Sequence, residues 1–174
     1  MAARMPHSLL DDAFAHHAWA TERLIDACAA LTGDQLDTTV AGTYGSIIET
    51  LHHLVETDRW YIGFFPTGEE LAKIDEKPIL VLDQLRSEMQ RNGAAWRQVL
   101  AQYADPEADL PERGDGWVFH APVGFRLAQV IHHGTDHRSQ VCTALTSLDV
   151  TPPEVDLWAF GEATGRTRSA RERT

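Results

Sequence analysis

From Ser8 to Leu31, apolar or small side chains return at Leu10, Phe14, Thr21, Leu24, Cys28 and Leu31, the spacing of a helix with one face turned inward. Gly33, just past that run, predicts its C-cap, and Asp34-Gln35-Leu36 reads as a short turn before the loop Val40 to Gly45. A second helix is predicted from Ser46 to about Phe64, with Ile47, Leu51, Leu54, Asp58 and Tyr61 along one stripe. Ser46 followed by Glu49 fits a capping box, in which side chain and backbone satisfy each other's free groups at the helix start. Pro66-Thr67-Gly68 is expected to break this helix, and the polar stretch from Glu69 to Pro78 reads as loop or a short turn.

The third helix is the clearest, since Leu82, Leu85, Met89, Asn92, Trp96, Val99 and Tyr103 step by three and four without interruption. Between Ala104 and Val123 the pattern collapses into Pro, Gly and Asp, with Trp117-Val118-Phe119 as its apolar run. That predicts an irregular loop with a short hairpin. A fourth helix spans about Gly124 to Leu148 on Leu127, Val130, Ile131, Val141, Leu145 and Leu148. Pro152 and Pro153 stop it, and Val155, Leu157, Trp158 and Phe160 predict a short packed C-terminal helix. Together these elements predict an all-α fold: a four-helix bundle with a long irregular loop before the fourth helix and a short helix at the end.

Composition narrows the setting. A chain of 174 residues is expected to form a single domain over residues 1–163, with 164–174 as a mobile polar tail holding Arg166, Arg168, Arg171 and Arg173. A net charge of -11 with only two lysines, Lys73 and Lys77, argues against a nucleic-acid partner, because phosphate contacts need clustered cations. No segment approaches the roughly 18 apolar residues of a membrane span, so no membrane partner is expected and a cytoplasmic location follows by default. Cys28 and Cys142 sit inside helical patterns and read as small core residues, not as a disulfide framework.

The histidines change the picture more than the charge does. Six of the nine form pairs, His16-His17, His52-His53 and His132-His133, on three different predicted helices, with His137 close behind the last pair; His7 and His120 stand apart with no role assigned. His133 and His137 are one turn apart on one helix face, the spacing of helical metal sites, whereas His132 falls on the opposite side. A metal on two imidazoles needs a further ligand from a facing helix. Periodicity leaves His52 and His53 both open, with His52 nearer the apolar stripe. His17 points inward, as a fourth ligand, a contact to ligands or substrate, or a packed core histidine.

The pieces F-A-H-H-A-W-A-T-E-R-L-I-D-A, G-T-Y-G-S-I-I-E-T-L-H-H-L-V-E-T-D-R-W and V-I-H-H-G-T-D-H-R-S-Q-V, with the closing T-P-P-E-V-D-L-W-A-F-G, span nearly the whole chain. In them the sequence resembles the DinB-like metal-binding four-helix bundles, a group that includes the metal-binding domain of mycothiol-dependent maleylpyruvate isomerases and related thiol S-transferases. The resemblance implies His53, directly followed by Leu54 and seven residues before Trp60, as the ligand from the second helix. It places the family's H-x-x-x-H-R-x-Q pattern on His133, His137, Arg138 and Gln140. Asp136 stands where the family often has another His, and Ser139 where it often has Gly; Asp136 is a candidate for orienting an imidazole, and Arg138 for anchoring an anionic group or making a surface ion pair.

The implied cofactor is one divalent ion, zinc or nickel ahead of iron or manganese, on His53, His133 and His137, with coordination positions left for a ligand. The implied reaction is transfer of a low-molecular-weight thiol to a small electrophile. A metal-dependent hydrolase and a non-enzymatic metal-binding or stress-response module are the alternatives, and a homodimer is an expectation from the family alone.

Overall fold

The computed structural model describes residues 9–67, 78–103 and 105–169. His7 and the predicted loop of Glu69 to Pro78, except Pro78 itself, lie outside them. Four long helices carry the fold: α1 (Leu9–Cys28), α3 (Ile47–Thr67), α4 (Leu82–Gln102) and α5 (Val123–Ser147), with the short α2 (Gly33–Leu36) and α6 (Leu157–Thr164). The expected all-α bundle is the observed architecture. The hairpin is also present, as β1 (Glu112–Gly114) paired antiparallel with β2 (Trp117–Phe119) across Asp115-Gly116, where Gly116 takes a φ of 77°.

One helix end differs from the sequence reading. Gly33 does not close α1, which stops at Cys28; it opens α2 behind an N-cap at Thr32. The Thr32 hydroxyl accepts from the Gln35 N–H at 3.3 Å, while Gln35 Oε1 accepts from the Thr32 N–H at 2.9 Å. A reciprocal capping box thus competes successfully with the C-cap role of a glycine whose φ is not positive. The second long helix has Pro66 in its last turn and its described residues end at Thr67, within the predicted break. The Tyr103 hydroxyl donates to the Phe65 carbonyl, one of the last carbonyls of that helix, which have no partner within it. The capping box at Ser46 and Glu49 forms as expected, at 2.8 and 3.3 Å.

The long helices touch in the cyclic order α1, α4, α3, α5. Their directions follow from paired side chains. Arg86 meets Asp26, Gln90 meets Glu22 and Trp96 meets Phe14, so α4 runs antiparallel to α1. Asn92 meets Val55, Trp96 meets Asp58 and Tyr103 meets Phe65, so α3 and α4 run parallel. His53 meets His133 and Phe64 meets Arg126, making α5 antiparallel to α3. The bundle is up-down-down-up.

Its core divides into two apolar clusters. One gathers Leu24, Ile25, Leu51, Val55, Leu85, Met89, Val141 and Leu145; the other gathers Phe14, Phe64, Phe65, Trp96, Val99, Leu127 and Val130. Burial of such side chains stabilises by about 1.5–3 kcal/mol each before entropy is counted. Helix α6 is N-capped by Asp156, whose Oδ1 accepts from Trp158 and Ala159 N–H, and closes at Gly165 with a φ of 69°. Beyond it, Arg166 forks onto Asp12 of α1 at 2.9 and 2.5 Å.

Candidate metal centre

His53 projects from α3, and His133 and His137 from one face of α5, so that one possible ligand atom from each lies within 4.8 Å of the others. His53 Nε2 and His133 Nε2 are 3.1 Å apart. Two zinc–nitrogen bonds of about 2.0–2.1 Å at a tetrahedral angle hold their nitrogens about 3.4 Å apart, so this pair suits a shared ion. The three ring centroids are 4.4 to 5.1 Å from one another.

Burial also sets the protonation of one donor. Burial, then the neighbouring His137 and His53, pushes His133 down to about 4, leaving the imidazole neutral at pH 7. For His137 the tautomer can be deduced. The Tyr44 backbone N–H donates to Gln140 Oε1 at 3.0 Å, which identifies that atom as an oxygen and an acceptor. His137 Nδ1 lies 2.9 Å from the same oxygen and must therefore carry the proton, which leaves the lone pair on Nε2. Tyr44 itself stacks on His53, centroids 4.1 Å apart at 21°, and meets His137 edge-on at 5.3 Å. One loop residue thus braces two of the three rings, and half-exposed Tyr44 forms the lip of the site.

Of the two histidines left open by periodicity, His53 is the one brought to the cluster. His52 turns into the α3 and α4 side, where its Nδ1 accepts from the Leu80 N–H at 3.2 Å. The polar groups assigned to the surroundings behave differently from expectation. Asp136 is exposed, and the acceptor that orients His137 is Gln140. Arg138 makes neither a surface ion pair nor an exposed anion site: it is buried, and its Nη1 donates to His17 Nδ1 at 2.9 Å while Nη2 donates to Thr135 at 3.2 Å. Burial lowers it to about 10, still cationic at neutral pH.

His17 is fully buried and both its nitrogens are engaged. Because a guanidinium can only donate, Nδ1 is an acceptor and the proton sits on Nε2, which donates to the Asp58 carboxylate at 3.0 Å. That removes the fourth-ligand reading of His17 and leaves it as a buried link between α3 and α5.

Sequence reasoning missed Tyr44, Asp58, Thr57 and Arg126. Thr57 follows His53 by one turn on the same helix face and is buried with a hydroxyl that has no hydrogen-bond partner among the described residues. Arg126 ties the hairpin to α5 through the Leu110 and Phe119 carbonyls and Glu112, and lies 4.6 Å over the Phe64 ring. Arg126 lies outside the matching stretches and Thr57, though inside the one from Gly42 to Trp60, carries no spacing signal of its own, so only the packing singles them out. A cavity of about 1200 Å³ lies elsewhere, lined by Phe14, Trp19, Trp96, Arg97 and Phe160, and contains none of the three histidines. Convergence of ligand atoms, not cavity size, locates the candidate centre.

Comparison with known families assigns the chain over residues 5–172. It belongs to the DinB family. No curated protein matches the chain. Nearly the whole DinB chain is covered, so the histidine cluster, the loop bearing Tyr44 and the hairpin all belong to the matched region. No described helix is long and apolar enough to cross a membrane.

Proposed function

We propose that this DinB-family protein is a metal-dependent enzyme that holds one divalent ion on His53, His133 and His137 and transfers a low-molecular-weight thiol to a small electrophile. The observation that carries the reading is the convergence of three imidazoles from two helices, with His133 unprotonated and the His137 lone pair aimed away from Gln140. Zinc and nickel fit neutral nitrogen donors best, and iron and manganese also accept such a set. Three protein ligands are the number typical of open, catalytic sites, whereas structural zinc sites use four. When bound, the ion would supply Lewis acidity that brings a thiol toward its thiolate near neutral pH.

The protein's own residues do the rest. Gln140 holds His137 in one tautomer, Tyr44 stacks on His53 and shields one side of the cluster, and buried Thr57 offers a hydroxyl to a polar atom of an incoming ligand. The nucleophilic sulfur comes from the co-substrate: burial pushes Cys28 up to about 12 and raises Cys142, so neither is a ready thiolate. The net change is loss of the thiol proton and the electrophile's leaving group, with formation of one carbon–sulfur bond.

The test uses protein purified without an affinity tag. Elemental analysis and titration with zinc or nickel should give one ion per chain, and the loaded protein should consume a small thiol in the presence of an alkylating electrophile faster than a His133→Ala control. A protein that stays metal-free through both titrations overturns the site. Normal metal uptake with no thiol consumption above the control, for any of the four metals, overturns the transferase reading and leaves hydrolysis or ligand capture.

A further inference from the structure

A polar layer crosses the bundle between its two apolar clusters. On every long helix the sequence passes from one cluster to the other through a buried polar residue: His17 and Thr21 between Phe14 and Leu24, Asp58 between Val55 and Phe64, Asn92 between Met89 and Trp96, Arg138 between Val130 and Val141. Hydrogen bonds join most of them into one chain. Trp96 Nε1 donates to Asp58 at 3.1 Å, His17 Nε2 donates to Asp58 at 3.0 Å, and Arg138 donates to His17 Nδ1 at 2.9 Å. From there Arg138 reaches Thr21 at 3.4 Å and Thr135 at 3.2 Å. All four long helices contribute a member.

We infer that this layer positions the histidine triad by locking α3 and α5 in register, with Asp58 and His17 as the positioning residues. The inference rests on the metal-site reading above. Stability alone does not account for such a layer, because apolar side chains of similar volume in place of a buried ion pair are commonly neutral or stabilising. What a buried polar chain adds is a single permitted arrangement. Trp96 and Arg138 can only donate and the Asp58 carboxylate can only accept, so His17 is forced into one tautomer between them. A slip of α5 by one turn would strand the Arg138 cation and the Asp58 anion in the core.

The layer is placed to act on the ligands. Asp58 lies five residues after His53, Arg138 follows His137 directly, and Thr135 lies between His133 and His137. The His17 ring fills the notch left by Gly134, where a Cβ would come within 2.3 Å of its Cε1. The cross-helix lock therefore bears on the same turn of α5 that presents both of its ligands.

Asp58→Asn tests this, since it keeps the shape while turning one acceptor into a donor that faces Trp96 or His17. Zinc affinity, read by competition with a chromophoric chelator, should weaken about tenfold or more. The visible spectrum of the cobalt-loaded protein should change, reporting altered coordination. Met89→Ala serves as the control, a core truncation in α4, a helix that supplies no ligand; it should lower the melting temperature and leave zinc affinity and cobalt spectrum as in wild type. Trp96→Phe removes only the outermost donor, should weaken zinc less than Asp58→Asn, and replaces it as the test if Asp58→Asn does not fold. Wild-type affinity and spectrum in the folded layer variant overturn the inference, as does a Met89→Ala variant that loses as much affinity as the layer variants. Failure of the wild-type protein to bind zinc or cobalt overturns the metal site itself, and with it the inference.

Discussion

The imidazole of His17 on α1 occupies the space in which a side chain of residue 134 on α5 would start: a Cβ on Gly134 would lie 2.3 Å from His17 Cε1 and 2.4 Å from Nδ1. Gly134→Ala pits two effects against each other. Alanine in a helix interior gains about 1 kcal/mol over glycine. The clash works the other way, and His17 cannot swing aside because it is fully buried and bonded at both nitrogens. Overpacking of this kind costs about 1–3 kcal/mol. The expected outcome is net destabilisation in urea unfolding, although the substitution favours the helix locally. A variant as stable as wild type would show that the ring is free to move.

His53 and His52 give a second test. His53→Ala removes a ligand and should abolish stoichiometric zinc binding measured by calorimetry. His52→Ala leaves the cluster whole and removes the acceptor for the Leu80 N–H, so it should lower the melting temperature while zinc still binds one to one. The opposite pattern would reassign the ligand.

Gln140→Leu keeps the side-chain size but removes the oxygen shared by the Tyr44 N–H and His137 Nδ1–H. Outer partners of ligating histidines are worth about 10- to 100-fold in metal affinity. Zinc affinity should fall within that range, and Tyr44 fluorescence quenching by a bound paramagnetic ion should weaken as the loop detaches. Unchanged affinity would mean that the tautomer of His137 is held by something else.

How much of this was legible beforehand depends on the range of the interactions. The α3, α4 and α5 stripes follow from local periodicity, and Leu85, Met89, Asn92, Trp96 and Val99 are all buried as their spacing implies. His133 and His137 share a turn, so one helix suffices to pair them. His53 against His52 was different: the two are adjacent, and which one meets α5 depends on the rotation of α3, fixed by contacts 80 residues away in sequence. Resemblance to a family selected His53 where periodicity could not. Asp58 escaped because a charge on an apolar stripe reads as an exception until its partner on another helix is known, and Arg138, marked by its place beside His137, was given a surface role because its partner His17 lies on another helix. Gly33 opens a helix where a C-cap is expected because the Thr32 capping box outweighs the local signal.

Thr57→Val replaces a buried hydroxyl, which has no hydrogen-bond partner among the described residues, with a methyl group of nearly the same size. An unsatisfied buried polar group costs about 1–3 kcal/mol, so the metal-free variant should be at least as stable as wild type in urea unfolding. If the hydroxyl serves a ligand beside His53, the same change should raise KM for the thiol or electrophile without loss of zinc. A marked loss of stability would instead reveal a structural hydrogen bond at Thr57.

Stability of the metal-free protein should depend on pH through His133 and His16. Both are held below the ordinary value near 6.5, His133 to about 4, with burial the largest cause in each case. Below pH 6.5 the unfolded chain takes up protons on these rings while the folded chain resists them, so the unfolded state binds more protons and gains relative stability. The contribution is therefore fully present above pH 6.5 and is lost as the pH falls toward 4. Thermal unfolding of metal-free protein between pH 8 and pH 4 should show a melting temperature that starts to drop near 6.5. Carboxylates add to the loss at the acid end, and His133→Asn separates the two sources: its melting temperature should fall less steeply than wild type between pH 6.5 and 5. Identical slopes for the two proteins would show that His133 titrates normally in the fold.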